Sequence, residues 1–167
     1  QPFSPQVEAL RALRSQLMLR WYTGDEERKA LAVVSPGHKD GRSYLTANLA
    51  VVFSQLGERT LLIDADMRAP RQHELFGLNN AFGLSSVLSQ REEGDCIQRI
   101  HSLVDLSILP AGPTPPNPQE LLSRPTFDRL LENVAKEFDV VIIDTPAAAL
   151  YADAQIVAQR AGGALIL

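Results

Sequence analysis

The chain has 167 residues, of which 45% are apolar and 22% charged, a composition typical of one soluble globular domain. Its formal net charge is −4 and it has no long basic stretch, so we expect no nucleic-acid partner. The single cysteine, Cys96, excludes an internal disulfide, and no apolar stretch reaches the ~20 residues of a membrane-spanning helix. We therefore expect a cytoplasmic location.

An amphipathic helix is predicted first, over residues 7–22 (VEALRALRSQLMLRWY), with apolar residues at helical spacing and a charged opposite face. A polar turn follows. We assign residues 1–29 to an N-terminal helix and turn, and residues 30–167 to the core. Because the sequence stops on the apolar run GGALIL, we expect a core trimmed at both ends and truncated at its C-terminus.

Short apolar runs and helical segments alternate through the rest of the chain. The predicted strands cover residues 30–35, 59–66, 103–112, 139–146 and 163–167. The predicted helices cover 43–57, 83–90, 95–101, 119–124, 125–138 and 152–162. Unbroken apolar strands with helices between them predict an α/β domain with a parallel sheet covered on both faces. Ligands bind at the carboxyl ends of the strands in such sheets.

The loop SPGHKDGRS, residues 35–43, follows the first strand and precedes a helix. This is the setting of a phosphate-binding loop, although Pro36 replaces the first glycine of the G-x-x-x-x-G-K-[ST] pattern and Arg42 replaces its lysine. Backbone N–H groups at a helix N-terminus bind phosphate, and Ser43 offers a hydroxyl to Mg²⁺. Arg42 keeps the positive charge but is wider than lysine, so we expect nucleotide binding to be retained and turnover to be slowed.

Three carboxylates follow the other strands. Asp64 and Asp66 end the second predicted strand, and Asp144 ends the fourth. Because the carboxyl ends of parallel strands share one edge of the sheet, these carboxylates are predicted to lie beside the loop. Carboxylate oxygens suit Mg²⁺, and a carboxylate beside a triphosphate can accept a proton from an attacking hydroxyl.

Together these segments resemble the catalytic domain of bacterial tyrosine kinases that control exopolysaccharide chain length. The resemblance covers nearly the whole chain and rests on the order of the Walker A loop SPGHKDGRS, the Walker A′ segment LLIDADMR and the Walker B strand VVIIDTP. EALRALR, residues 8–14, resembles the family's E-x-x-R-x-x-R segment, LPAGPTPPNPQELL its proline-rich loop, and HELFGLNNAFGLSSVL its segment after Walker A′. The implied fold is a single-domain P-loop NTPase of the deviant Walker type.

The resemblance also implies roles for individual residues. Asp66 would lie closest to the tyrosine hydroxyl and act with Asp64 and Arg42 in catalysis. Ser43, Asp64 and Asp144 would hold Mg²⁺, and Arg68 would contact phosphate or a neighbouring subunit. The nucleotide, ATP or ADP, would contact Gly37, His38, Lys39, Asp40, Gly41, Arg42, Ser43 and Tyr44.

The implied protein is an autokinase that phosphorylates tyrosines clustered in its own C-terminal tail, between subunits of a homo-oligomeric ring. Glu8, Arg11 and Arg14 would form the subunit interface. A membrane polysaccharide co-polymerase would activate the kinase and hold it at the inner face of the cell membrane. The present chain has tyrosines only at positions 22, 44 and 151, so the tyrosine cluster lies outside it.

Two other functions stay open at this point. A partition-type ATPase would carry a signature lysine early in the loop, but that position is Gly37. A regulatory module that binds nucleotide and is catalytically weak is compatible with Arg42.

Overall fold

The computed structural model describes residues 4–22, 30–37, 41–91, 95–103 and 105–167. The helices within these ranges are α1 (Pro5–Leu17), continued by a π-helical turn (Met18–Tyr22), α2 (Arg42–Ser54), α3 (Gln72–Leu75), α4 (Leu84–Leu88), α5 (Pro118–Leu122), α6 (Pro125–Glu137) and α7 (Asp153–Ala161). The strands are β1 (Ala30–Val34), β2 (Thr60–Asp64), β3 (Gln98–Arg99), β4 (Leu106–Leu109), β5 (Val140–Asp144) and β6 (Ala164–Ile166).

The described strands form one sheet in the order β3-β4-β2-β5-β1-β6. All neighbouring pairs are parallel except β3 and β4, which are antiparallel. The predicted α/β class with a mostly parallel sheet is therefore confirmed. β2 and β5 lie side by side at the centre, and their register pairs Asp64 with Asp144.

Both faces of the sheet are covered, which explains why its central strands are apolar throughout. Along β5, Val141 and Ile143 pack against α4 to α7, whereas Val140 and Ile142 pack against α2. This alternation follows from the two-residue period of a strand. Each face therefore has its own apolar cluster, and the loops at the carboxyl ends of the strands are free to carry polar side chains.

The N-terminal helix packs on the α2 face of the sheet. The Ser4 hydroxyl accepts a hydrogen bond from the Val7 amide and caps α1, and Pro5 occupies the first turn, where it costs no backbone hydrogen bond. Arg14 donates to the Val52 carbonyl oxygen over 2.6 Å. Tyr22 donates to the Val141 carbonyl oxygen. These contacts join residues 4–22 to the core.

The helix predicted over residues 95–101 is wrong. Gln98 and Arg99 form the edge strand β3, which pairs with β4. The apolar side chains here do not share one helical face: Cys96 and Ile97 pack into the cluster beside α4 to α7, whereas Ile100 packs into the cluster on the α2 side. In a helix Ile97 and Ile100, three residues apart, would share one face, so their packing on opposite faces of the sheet requires an extended backbone.

None of the described helices has the length and apolar character needed to cross a bilayer.

Candidate functional site

The N-terminus of α2 begins at a left-handed glycine. Gly41 has φ +71° and supplies no side chain to cap the helix, so the first-turn N–H groups of α2 have no side-chain acceptor from the capping position. A residue with a Cβ would be strained at this φ. Uncapped N–H groups at the positive end of a 13-residue helix can bind phosphate oxygens.

The side chain of Arg42, the first residue of α2, points toward the carboxyl ends of the central strands. Its side chain is only 7% exposed. Its Nη1 donates to Ser35 Oγ over 2.5 Å, its Nη2 lies 3.7 Å from Asp66 Oδ2, and its Nε lies 3.4 Å from Asp144 Oδ1. One guanidinium therefore joins the end of β1 to two of the three predicted carboxylates, where it balances part of their charge.

Asp64 and Asp144 stand side by side at the ends of β2 and β5, and both are fully buried. Asp64 Oδ1 accepts from the Asp66 amide, and its Oδ2 accepts from the amides of Arg71 and Gln72. Asp144 Oδ2 accepts a hydrogen bond from the Gln72 side chain, and the Ser43 side chain lowers the pKa of Asp144. The sequence prediction that these carboxylates meet beside the loop agrees with this geometry.

Asp66 lies beyond the end of β2 and is 5% exposed. The Ala69 amide donates to its Oδ1, which leaves Oδ2 facing Arg42. Asp66 therefore places a carboxylate oxygen at the rim of the Arg42 cluster, 3.7 Å from Nη2.

Burial raises the pKa of all three carboxyls, because the charged form loses its hydration. The neighbouring Asp144 raises the pKa of Asp64 further, whereas backbone N–H groups lower it in part. Arg42 opposes the rise in the pKa of Asp66 and of Asp144. When all three carboxyls are ionised, their charge exceeds that of the one Arg42 guanidinium, so an added cation would stabilise their charged forms.

The oxygen atoms that the site offers to a metal fit a hydrated Mg²⁺ ion. Asp144 Oδ1 and Gln72 Oε1 are buried acceptors without a hydrogen-bond donor among the described residues. Within those residues no group of three His, Cys, Asp or Glu side chains is arranged as a complete metal site. Mg²⁺ keeps several waters and takes one or two carboxylates together with substrate phosphates, so a site of this kind suffices.

Sequence reasoning missed Gln72. This residue is fully buried at the start of α3, and its Nε2 donates to Asp144 Oδ2 and to the Ser43 carbonyl oxygen, each over 2.9 Å. A glutamine in a polar segment between a strand and a short helix gives no periodic signal. Its position follows from the turn after β2, which local sequence does not specify.

Arg68 binds within the chain in this structure. Its Nε and Nη2 donate to the two carboxylate oxygens of Asp153, and its guanidinium lies 3.9 Å from the centre of the Tyr151 ring. Asp153 is fully buried at the start of α7. The pair connects the Walker A′ segment to α7, and a phosphate or subunit contact by Arg68 stays a prediction.

The remaining residues predicted to contact nucleotide lie on the loop and on α2, and those predicted to form the subunit interface lie on α1. Gly37 and Ser43 belong to the described part of the loop, and Tyr44 projects from α2 with 69% of its surface exposed. His38, Lys39 and Asp40 lie outside the described residues. On α1, Glu8 pairs with Arg11 over 2.7 Å, whereas Arg14 is engaged by the Val52 carbonyl.

Comparison with known proteins places the chain among bacterial kinases, although no protein-family model matches it. It is 38% identical over 159 residues to the putative tyrosine-protein kinase CapB of Staphylococcus aureus, an alignment that covers 95% of this chain and 68% of CapB. The chain belongs to the bacterial tyrosine-protein kinase family. This kinase-family chain superimposes on the kinase domain of Escherichia coli tyrosine kinase ETK with a TM-score of 0.92 and 33% identity, covering 100% of this chain and 65% of that one.

Some relatives of this kinase-family chain are much longer. The chain is 38% identical to tyrosine-protein kinase wzc of Salmonella typhimurium over 161 residues, which cover 96% of this chain and 22% of wzc. The family predicted from the Walker segments is confirmed.

The fold extends beyond the kinases. The septum site-determining protein MinD of Pyrococcus horikoshii, solved with Mg-ADP, has a TM-score of 0.69 at 22% identity and covers 83% of this chain and 57% of that one. At that identity the likeness shows a shared fold alone.

Proposed function

We propose that this domain binds ATP with Mg²⁺ at the N-terminus of α2 and transfers the γ-phosphoryl group to tyrosine hydroxyls. The observation that carries the proposal is the ion cluster in which Arg42 lies between Asp66 and Asp144 beside the uncapped start of α2. Membership of the tyrosine-protein kinase family supports it. The P-loop fold implies a nucleotide site with a divalent metal, and the assignment of that site to these residues is our proposal.

The chain's own groups divide the work between binding and chemistry. The first-turn N–H groups of α2 hold phosphate oxygens, and the Arg42 guanidinium balances charge that develops on the transferred group. The tyrosine hydroxyl oxygen bonds to the γ-phosphorus while the bond from that phosphorus to the leaving ADP oxygen breaks. Asp66 accepts the proton that the tyrosine hydroxyl loses. Burial raises the pKa of Asp66 toward the range in which a carboxylate is an effective base.

Mg²⁺, held by the Ser43 hydroxyl, Asp144 and Asp64, would neutralise the charge of the β- and γ-phosphates. The Ser43 side chain lowers the pKa of Asp144, as a hydroxyl beside that carboxylate does. Burial disfavours the charged forms of Asp64 and Asp144, so a bound cation would stabilise both carboxylates.

The acceptor tyrosines are proposed to lie outside the present chain. Tyr22 donates its hydroxyl hydrogen bond to a core carbonyl, and the Tyr151 ring lies under Arg68. Tyr44 alone among the three is well exposed, at 69%, but it is a single tyrosine, whereas the family resemblance implies a cluster. We therefore propose a tyrosine-bearing tail as the substrate, presented by a neighbouring subunit of a ring. Activation by a membrane polysaccharide co-polymerase, attachment through it to the inner face of the membrane, and a role in exopolysaccharide length and export complete the proposal.

The nucleotide assignment predicts ligand-dependent stability. ADP with MgCl₂ at about 100 times its Kd should stabilise the full-length protein by about 2.7 kcal/mol, because a ligand of the folded state shifts the equilibrium by mass action. Thermal or urea unfolding measures this effect.

Incubation with ATP and MgCl₂, with and without the activator domain, should then produce phosphotyrosine detectable by antibody. Stabilisation without any phosphotyrosine would instead support the catalytically weak nucleotide-binding module, and no stabilisation would contradict the site assignment.

The proposed ring predicts that α1 charges control assembly. Glu8 and Arg11 form an ion pair one turn apart, with Glu8 exposed and Arg11 half-buried. The double exchange Glu8→Arg with Arg11→Glu preserves the pair within the helix and reverses the charges offered to a neighbour. We expect the exchanged full-length protein to lose the oligomer in light scattering while its unfolding midpoint stays close to the parent's. Arg14 is left unchanged because it binds the Val52 carbonyl. An unaltered oligomer mass would show that this helix face is not the interface.

A further inference from the structure

Gln72 contacts each of the three residues that are proposed to hold the metal, Ser43 through its backbone carbonyl. Its side-chain Nε2 donates to Asp144 Oδ2 and to the Ser43 carbonyl oxygen, each over 2.9 Å. Its backbone amide donates to Asp64 Oδ2 over 3.0 Å. One residue of α3 therefore connects the ends of β2 and β5 to the first turn of α2.

The chemistry of its neighbours fixes the orientation of the Gln72 amide. Both partners of the Nε2 group are acceptors: a carboxylate oxygen of Asp144 and the Ser43 carbonyl. A flipped amide would place Oε1 against two acceptors, which is unfavourable, so the NH₂ group must face them. Oε1 then points away from both.

The remaining oxygen has no donor. Gln72 is fully buried, and its Oε1 has no hydrogen-bond partner among the described residues. Asp144 Oδ1 makes no hydrogen bond either, and its partner is Arg42 Nε, 3.4 Å away in an ion pair. Buried polar atoms are almost always paired with protein or water, so the unpaired Gln72 Oε1 indicates a donor that the described residues do not supply. The waters around a bound cation are donors of this kind.

We propose that Gln72 is a positioning residue for the metal. Its NH₂ group holds Asp144 and the first turn of α2 in a fixed relation, and its Oε1 accepts a hydrogen bond from a water on Mg²⁺. This inference rests on the proposed function, because it requires that Mg²⁺ and nucleotide bind here. Residues that orient metal ligands typically change metal affinity by about 10- to 100-fold when they are replaced.

Nucleotide titrations with and without metal test the role. The Kd of ADP is measured for the full-length protein in MgCl₂ and in EDTA, and the ratio of the two values is the Mg²⁺-dependent gain. Gln72→Leu removes donor and acceptor at similar side-chain size, and we expect it to lower that gain by about 10-fold or more while the Kd in EDTA stays close to the parent's. The matched control is Gln155→Leu, on the exposed side of α7, which should behave as the parent does.

Gln72→Glu separates the oxygen from the donor. It keeps an acceptor oxygen, loses the NH₂ group and adds a carboxylate beside Asp144. We expect ADP binding in EDTA to weaken, because negative charge is added near phosphate, and the Mg²⁺-dependent gain to be kept or increased. Unfolding midpoints with and without MgCl₂ should follow the same order, and they provide a readout independent of phosphoryl transfer.

Three results would overturn the role. Equal weakening of ADP binding in MgCl₂ and EDTA by Gln72→Leu, with a lower unfolding midpoint, would make Gln72 a structural tie only. Unchanged binding in both conditions would remove the residue from the site. Loss of the Mg²⁺-dependent gain in Gln72→Glu would leave the NH₂ group as the part of Gln72 that acts on the metal and would overturn the hydrogen bond proposed for Oε1. This variant decides the question if Gln72→Leu does not fold. If the parent protein shows no Mg²⁺-dependent gain, the proposed function itself is contradicted, whatever the variants show.

Discussion

Replacing Asp66 by Asn is expected to lower the initial rate of phosphotyrosine formation by about 100- to 10,000-fold, the range that loss of a general base costs. Asn keeps an oxygen for the Ala69 amide, so the turn after β2 should be preserved. It cannot accept the proton of the tyrosine hydroxyl. The Kd of Mg-ADP should stay close to the parent's or tighten, because removal of one carboxylate charge leaves Arg42 more available to phosphate.

The comparison needs a matched carboxylate. Asp105→Asn makes the same chemical change at the amino end of β4, away from the carboxyl edge that carries the site, and should leave both rate and affinity unaltered. Rates are measured on the full-length protein by antibody, and affinities by titration calorimetry. If Asp66→Asn retains the parent's rate, Asp66 is not the proton acceptor, whatever its effect on binding.

Removing the charge of Arg42 should be the most destabilising change at the site. Arg42→Met leaves Asp66 and Asp144 buried without their cation, and loss of one partner from a buried ion pair typically costs about 3–5 kcal/mol. Urea unfolding at pH 7 measures this loss. Arg42→Lys is the control, because it preserves the positive charge in a side chain of similar length. Equal destabilisation by both variants would mean that shape, not charge, is what the site requires from this residue.

The pH dependence of Arg42→Met has a defined sign. The pKa values of the three carboxyls are already raised in the folded protein, and loss of the guanidinium should raise those of Asp66 and Asp144 further. A carboxyl with a raised pKa binds its proton more tightly in the folded than in the unfolded state, so stability falls as pH rises through the raised pKa. The deficit of Arg42→Met relative to the parent should therefore shrink as pH is lowered from neutrality toward the ordinary pKa range of aspartate. A deficit that grows on acidification would contradict the charge argument.

The sequence was sufficient for the parts of the site that lie at strand ends. Asp64 and Asp144 each close an unbroken apolar run, and a parallel sheet places such ends side by side. The residues in turns were harder to predict from the sequence. Gln72 binds Asp144, 72 residues away, and Asp153 binds Arg68, 85 residues away. No sequence pattern around Gln72 or Asp153 predicts these partners.

Arg42 illustrates a different limit. Its replacement of the usual lysine is visible in the sequence, but the inward direction of its side chain depends on the Ser35 hydroxyl and the two carboxylates that receive it. The edge strand β3 was misassigned because seven residues with a helical apolar spacing can also alternate between two faces of a sheet. Only the neighbouring strand β4 decides between the two.

The direct pairing of Asp64 with Asp144 has a mechanical consequence. Neighbouring strands are held about 4.8 Å apart by their backbone hydrogen bonds, and these two residues stand opposite one another in the central pair of the sheet. Their backbones cannot separate to relieve repulsion unless the middle of the core opens. The spacing of the two acids is therefore as stiff as the sheet itself, whereas Arg42 and Gln72 reach the same point from helices. Adjustment to a ligand's charge must therefore come from α2 and α3, while the sheet keeps the positions of the two acids fixed.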